Sequence, residues 1–315
     1  MKTSRKTTAL AAAGVGLALA LTACGGGSDG DSTNGAAGDG ELAGTTITVG
    51  SKEFTESHVL GQITALALEN AGAEIVDQTG ISGSATVREA LETGEIDIYW
   101  DYTGTAWVNY LGNTTEDLPE DLHAAVAEAD AANGIAWLEP ANFENAYRIA
   151  VKSDFAAEHG LATMSDAAAY GDGAGAETSL CAASEFINRD DGLPGLEEAY
   201  GIDFSPLSEL DLNLIYTQIG ESCNFGEVFS TDARIITNDL TVLEDDQSFF
   251  VEYAGLVTLR QETLDEHPII AEILAPISTA LTNEVVTALN GQVDNDGEEP
   301  RDVAEAWLQE NGFIS

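Results

Sequence analysis

No residue able to do covalent chemistry stands in a pattern that such chemistry requires. GxSxG, HExxH, a P-loop and a GxGxxG that follows a strand are all absent, so no serine nucleophile, zinc-bound water or phosphate cradle is expected. The four histidines, at 58, 123, 159 and 267, fall in polar or helical contexts with no partner at metal-ligand spacing, as surface or helix-face residues would. Asp294-Asn295-Asp296-Gly297 resembles part of a calcium loop. However, Gln292 stands where the first Asp belongs and Val303 where the closing Glu belongs. Carboxylate pairs occur everywhere, so none is marked out as an acid/base couple. No metal, no cofactor and no catalysis are expected.

Positive charge is the rarer resource. The 315 residues carry 55 Asp+Glu against 11 Lys+Arg, a formal net charge of −44. Such a surface repels nucleic acid, which is bound through clustered Lys and Arg. It also keeps a chain soluble and suits a saline habitat. The 44% hydrophobic content is that of a globular protein, which excludes disorder and fibres.

Lys2, Arg5 and Lys6 precede an apolar run over 9–23. About 15 such residues are too few for a membrane span, which needs closer to 20, and suit a signal-peptide core. Leu21-Thr22-Ala23-Cys24 reads as a bacterial lipobox. The reading is therefore a signal peptide over 1–23, a lipidated Cys24, and a Gly/Ser/Asp-rich flexible tether over 24–45. The alternative is a plain secretory signal with an incidental cysteine. Export removes three basic residues and no acidic ones, leaving 11 − 3 = 8 basic against 55 acidic, or −47. The eight are Lys52, Arg88, Arg148, Lys152, Arg189, Arg234, Arg260 and Arg301. Cys181 and Cys223 remain as a pair in an oxidising compartment, where a disulfide is expected and two separately buried thiols are the rival.

The elements that position these residues alternate. Strands are expected at 46–50, 96–99, 147–151, 227–230, 234–237 and 256–259. Helices are expected at 56–71, 84–92, 103–111, 118–133, 179–188, 193–200, 212–219, 268–275, 282–290 and 301–311. The alternation predicts an α/β architecture with open, largely parallel sheets. Repeats, heptads and a second hydrophobic span are absent, so the chain is not itself a permease.

Five ordered motifs then mark a family. They are Gly50-Ser51-Lys52-Glu53-Phe54-Thr55-Glu56; Asp97-Ile98-Tyr99-Trp100-Asp101-Tyr102-Thr103-Gly104-Thr105; Ser184-Glu185-Phe186 with Arg189-x-Asp191-Gly192-Leu193-Pro194-Gly195-Leu196; Phe229-Ser230-Thr231-Asp232-Ala233-Arg234-Ile235; and Phe249-Phe250-x-x-Tyr253 ahead of His267-Pro268. Over about residues 46–312 the chain resembles the substrate-binding proteins of glycine betaine/carnitine/choline ABC transporters. The resemblance implies a two-lobed type II periplasmic-binding-protein fold with two hinge crossings. Lobe 1 would comprise 46–148 and 254–315, and lobe 2 would comprise 149–253.

It also implies an aromatic cage for a quaternary ammonium, which has no N–H to donate but is attracted to aromatic faces. The cage falls on Tyr102, Tyr147, Phe229 and Tyr253, the third departing from the family's usual Tyr. Trp100, Trp107 and Trp137 are assigned to core or cleft wall. A carboxylate on the ligand would meet Lys52, Thr105 and Arg189, with Arg148 and Arg234 as competing cations. Two such cations favour a zwitterion like glycine betaine over choline. The implied partners are one of these small solutes and a membrane ABC permease, for a monomer held outside the cytoplasm by its lipid. A sensing receptor on the same fold is the alternative, and an exported hydrolase a more distant one.

Overall fold

The computed structural model describes residues 40–115 and 118–315. The signal peptide, Cys24 and most of the tether read from the sequence lie outside the described residues. Residues 40–45, the end of that tether, fold as a turn: Leu42 is buried in the core and its N–H bonds to the Ala71 carbonyl.

The chain builds two five-stranded sheets, each flanked by helices. The first sheet has the order β2 (Glu74–Ile81), β1 (Thr46–Lys52), β3 (Ile98–Tyr102), β10 (Gly255–Arg260), β4 (Ile135–Trp137). The second has the order β7 (Leu207–Glu209), β6 (Leu180–Ala182), β8 (Phe225–Phe229), β5 (Tyr147–Lys152), β9 (Leu240–Val242). Parallel neighbours need a crossover helix, and α1 (Thr55–Asn70) joins β1 to β2 in that way. This helix is buried around most of its circumference, with Val59, Leu60, Ile63 and Leu68 in the core. Helices Asn283–Asp294 and Pro300–Glu310 cover it, tied by Thr55 to Asp294 (2.6 Å) and by Arg301 to Glu69 (2.5 Å).

The sheets are mixed, not largely parallel as the alternation suggested. In each, the fourth strand runs antiparallel to both neighbours: β10 against β3 and β4, and β5 against β8 and β9. These two are the first strands laid down after the chain passes to the second sheet and after it returns. A strand arriving by a crossing has no βαβ connection to force it parallel. The two crossings lie side by side, with Ala141 N–H on Gly255 O (2.9 Å), Gly255 N–H on Phe143 O (3.1 Å) and Asn145 N–H on Tyr253 O (3.0 Å). Glycine is required at 255, where a Cβ would stand 2.2 Å from the Phe143 ring.

Two assignments made from periodicity change. Residues 179–188, read as one helix, are strand β6 followed by a short helix Ser184–Asn188. Leu180, Cys181 and Ala182 are fully buried between β7 and β8, and ladder pairing there overrides local preference. Residues 234–237, read as a strand from their β-branched content, form a helical turn, Arg234–Thr237. The Asp232 carboxylate accepts the Arg234 N–H (2.9 Å) and starts the turn. The disulfide joins Cys181 to Cys223, tying β6 to the turn before β8. No helix among the described residues is long and apolar enough to cross a membrane.

Candidate functional site

Between the two sheets, at the crossings, lies a cavity of about 640 Å³. Its walls come from strand ends and helix starts of both lobes: the β1–α1 turn, the start of α2 (Ser84–Thr93), the end of β3, the first residue of β5, the Ser184–Asn188 helix, and the end of β8. Ends of strands in open α/β sheets are where such folds hold ligands.

The four sequence-assigned aromatics all line this cavity. Tyr147 and Phe229 are cross-strand partners on β5 and β8, with ring centroids 5.1 Å apart. Tyr253, on the return crossing, meets Tyr147 edge-on at 5.8 Å. Tyr102 ends β3 on the opposite lobe. A fifth ring links the two sides, and sequence reading passed over it. Phe54 stacks on Phe229 (5.3 Å) and faces Tyr102 (6.3 Å). Trp100 is core, Trp137 is buried, and neither they nor Trp107 line the cavity.

The rings are held by hydrogen bonds from outside the cavity. Glu56 accepts from the Tyr102 hydroxyl (2.5 Å), Asn145 (2.9 Å), Asn290 (3.2 Å) and the Thr231 hydroxyl. Burial raises the Glu56 carboxyl against the pull of these four donors. Tyr253 donates to Asp191 (2.7 Å). Gly104 lets the Tyr253 ring approach, since a Cβ there would stand 2.7 Å from it.

The expected polar end is more elaborate than a pair of free cations. Lys52, Thr105 and Arg189 all line the cavity. Lys52 Nζ donates to Asp101 Oδ1 (2.6 Å) and sits 5.3 Å above the Tyr102 ring. Arg189 forks onto Asp191 (Nε 2.8 Å, Nη2 2.6 Å), reaches Glu185 with Nη1 (2.7 Å), and stacks 5.2 Å from the Tyr147 ring. The Thr105 hydroxyl lies 3.5 Å from Arg189 Nη2. The competing cations are engaged elsewhere: Arg234 with Asp232 over the Tyr216 ring, and Arg148 with the Tyr147 carbonyl.

Two acids complete this end, and neither was assigned from the sequence. Glu185, on lobe 2, crosses the cleft to the N-terminus of α2, accepting Ser84 N–H (3.0 Å) and the Ser84 hydroxyl (2.7 Å). Burial raises its carboxyl, but the charges of Lys52 and Arg189 and the Ser84 bonds outweigh that and bring it down to about 2. Glu227 on β8 lies two residues before Phe229 and so on the same face of the strand. It is 2% exposed and takes one bond, from the Ala183 N–H (2.7 Å). Burial pushes its carboxyl up to about 8.

The chain matches the family model described as the substrate-binding domain of ABC-type glycine betaine transport systems over residues 45–310. The chain belongs to this family. A protein of Pseudomonas aeruginosa named glycine-betaine-binding protein is 33% identical over 282 residues, covering 85% of this chain and 89% of that one. A Helicobacter pylori protein named ergothioneine transport permease/ergothioneine binding protein is 32% identical, covering 85% of this chain and 48% of its own length. Among solved structures, apo YehZ from Escherichia coli is similar at a TM-score of 0.62 and 29% identity, over 86% of this chain and all of that one. As a substrate-binding domain of this family, the chain has the type II periplasmic-binding-protein fold that the motifs implied, and its role is capture for an ABC transporter.

Proposed function

We propose that the cleft captures a quaternary ammonium solute between its lobes and presents it to a membrane ABC permease, with no chemical step. Glycine betaine, choline and carnitine are the leading candidates, since relatives carry the first and last in their names. The observation that carries this reading is a cavity lined by six aromatic residues, of which Phe54, Tyr102, Tyr147, Phe229 and Tyr253 stand ring beside ring and Tyr110 is the sixth. Each face contributes roughly 0.5–2 kcal/mol to holding a desolvated cation. Micromolar binding requires about 8 kcal/mol, so burial of methyl groups and contacts at the polar end supply the rest.

The lobes that close are 46–148 with 254–315, and 149–253, turning about the paired crossings. Closure is favoured by the ligand because Tyr102 and Phe54 belong to one lobe and Phe229 to the other. Lys52, Thr105 and Arg189 meet or organise the ligand's polar end. The protein acts as an exported monomer tethered by a lipid on Cys24. Calorimetry with a panel of methylated ammonium compounds tests the reading. Tyr102→Ala and Tyr147→Ala are each expected to weaken binding more than tenfold, and wild-type affinity in both variants would remove the cage.

A further inference from the structure

The polar end of the cavity has already spent its anion-binding groups on the protein's own carboxylates. Lys52 is paired with Asp101, and Arg189 with Asp191 and Glu185. The N-terminus of α2, the other feature that attracts anions, is occupied twice: Glu185 takes the Ser84 N–H and Glu53 takes the Gly83 N–H (3.1 Å). A ligand carboxylate entering here must compete with a protein carboxylate at each of these groups. It also meets an excess of negative charge, since Glu53, Glu185, Asp211 and Glu227 line the cavity against Lys52 and Arg189.

Glu227 differs from the other acids. Its Oε2 accepts from Ala183, while its Oε1 has no hydrogen-bond partner among the described residues, although the side chain is buried and lines the cavity. It stands on the same strand face as the cage ring Phe229 and within electrostatic reach of Glu185, Arg189 and the Tyr147 hydroxyl. Oε1 is open to the cavity and not sealed in the protein, so a bound ligand that covers it must match it or leave it unpaired at a cost. A binding site built around one hydrogen bond discriminates strongly against a ligand that cannot make it.

We propose that Glu227 is a specificity-determining residue, accepting a hydrogen bond from an O–H or N–H on the arm of the bound ammonium. An ammonium with a donor arm is then held more tightly than one ending in a carboxylate. This rests on the quaternary ammonium reading above and reverses the preference for a zwitterion expected from the basic residues alone. Burial favours the neutral form of Glu227, and an incoming cation beside it shifts it back toward the ionised, accepting form.

The test is calorimetry at pH 8 on the full chain and on Glu227→Gln, with three probes: choline (hydroxyl arm), glycine betaine (carboxylate arm) and tetramethylammonium (no arm). In the wild type, choline is expected to bind at least tenfold more tightly than glycine betaine. In Glu227→Gln that ratio should fall by about tenfold or more, while tetramethylammonium, which loses only the attraction of the carboxylate charge, still binds and so reports an intact fold. Tighter glycine betaine binding in the wild type, or a ratio unchanged in the variant while tetramethylammonium still binds, overturns the role of Glu227 alone. Failure of all three probes to bind the wild type overturns the ammonium reading beneath it.

Discussion

Replacing Phe54 with Leu isolates the ring that joins the two halves of the cage. Phe54 sits at the β1–α1 turn, and its ring lies 5.3 Å from Phe229 on the other lobe and 6.3 Å from Tyr102 on its own. The contact with Phe229 exists only when the lobes are together. Losing that aromatic pair costs about 0.5–1.5 kcal/mol. Losing one face toward the cation costs about 0.5–2 kcal/mol. Leucine keeps much of the apolar contact, so the net loss in binding is about 1–3 kcal/mol, or roughly 5–150-fold in Kd. Phe54 is only partly buried, so the fold itself should lose little, with Tm falling by no more than about 2–4 °C. Titration calorimetry beside thermal unfolding separates the two effects. A Kd within twofold of wild type, at unchanged Tm, would refute the placement of this ring in the cage.

Three further outcomes follow from the charges and the cross-link. Glu227 has a folded pKa of about 8 against about 4.3 in the unfolded chain, so ligand-free stability should decline as pH rises from about 4.5 through 8. Urea midpoints between pH 6 and 9 should show this drift, and Glu227→Gln should flatten it; an equal slope in both would contradict the assignment. Glu185, held down to about 2, stabilises the closed arrangement above about pH 4.5 and loses that effect as pH falls through about 2. Glu185→Ala frees the Ser84 end of α2, and small-angle scattering of the ligand-free variant at neutral pH should show a larger radius of gyration; an unchanged profile counts against the bridge. Reducing Cys181–Cys223, which closes a sequence separation of 42 residues, should cost about 2–4 kcal/mol in unfolding experiments, and no loss would show that the link is not formed in solution.

What could be read from the sequence followed from motifs whose residues are close in the chain. Lys52 with the start of α1, Tyr102 with Thr105, and Arg189 with Asp191 each lie within one turn or strand end, and each group brings at least one residue to the same cavity. Phe54 lies inside the first motif, yet its role arises only where it meets Phe229, which is 175 residues away. Glu185 and Glu227 were hidden for a different reason. With 55 acidic residues in the chain, composition cannot mark two of them, and only burial and partner geometry do so. The eight basic residues were expected to be informative one by one. Several are structural instead, such as Arg88, which is buried and forked onto Asp130 at 2.6 and 2.5 Å. Edge strands such as β2, with its mostly exposed faces, carry too little apolar alternation to be read locally.

In the proposed cage, aromatic faces and not shape alone hold a positively charged trimethyl group. This is tested most directly by comparing nitrogen with carbon in otherwise identical ligands. Calorimetry would pair choline with 3,3-dimethylbutan-1-ol, and glycine betaine with 3,3-dimethylbutanoate. Each carbon compound keeps the volume and the arm and lacks the charge. With several faces at roughly 0.5–2 kcal/mol apiece, the nitrogen compound should bind at least about tenfold more tightly than its carbon partner in whichever pair the cleft prefers. Equal affinities for nitrogen and carbon in both pairs would contradict the cage.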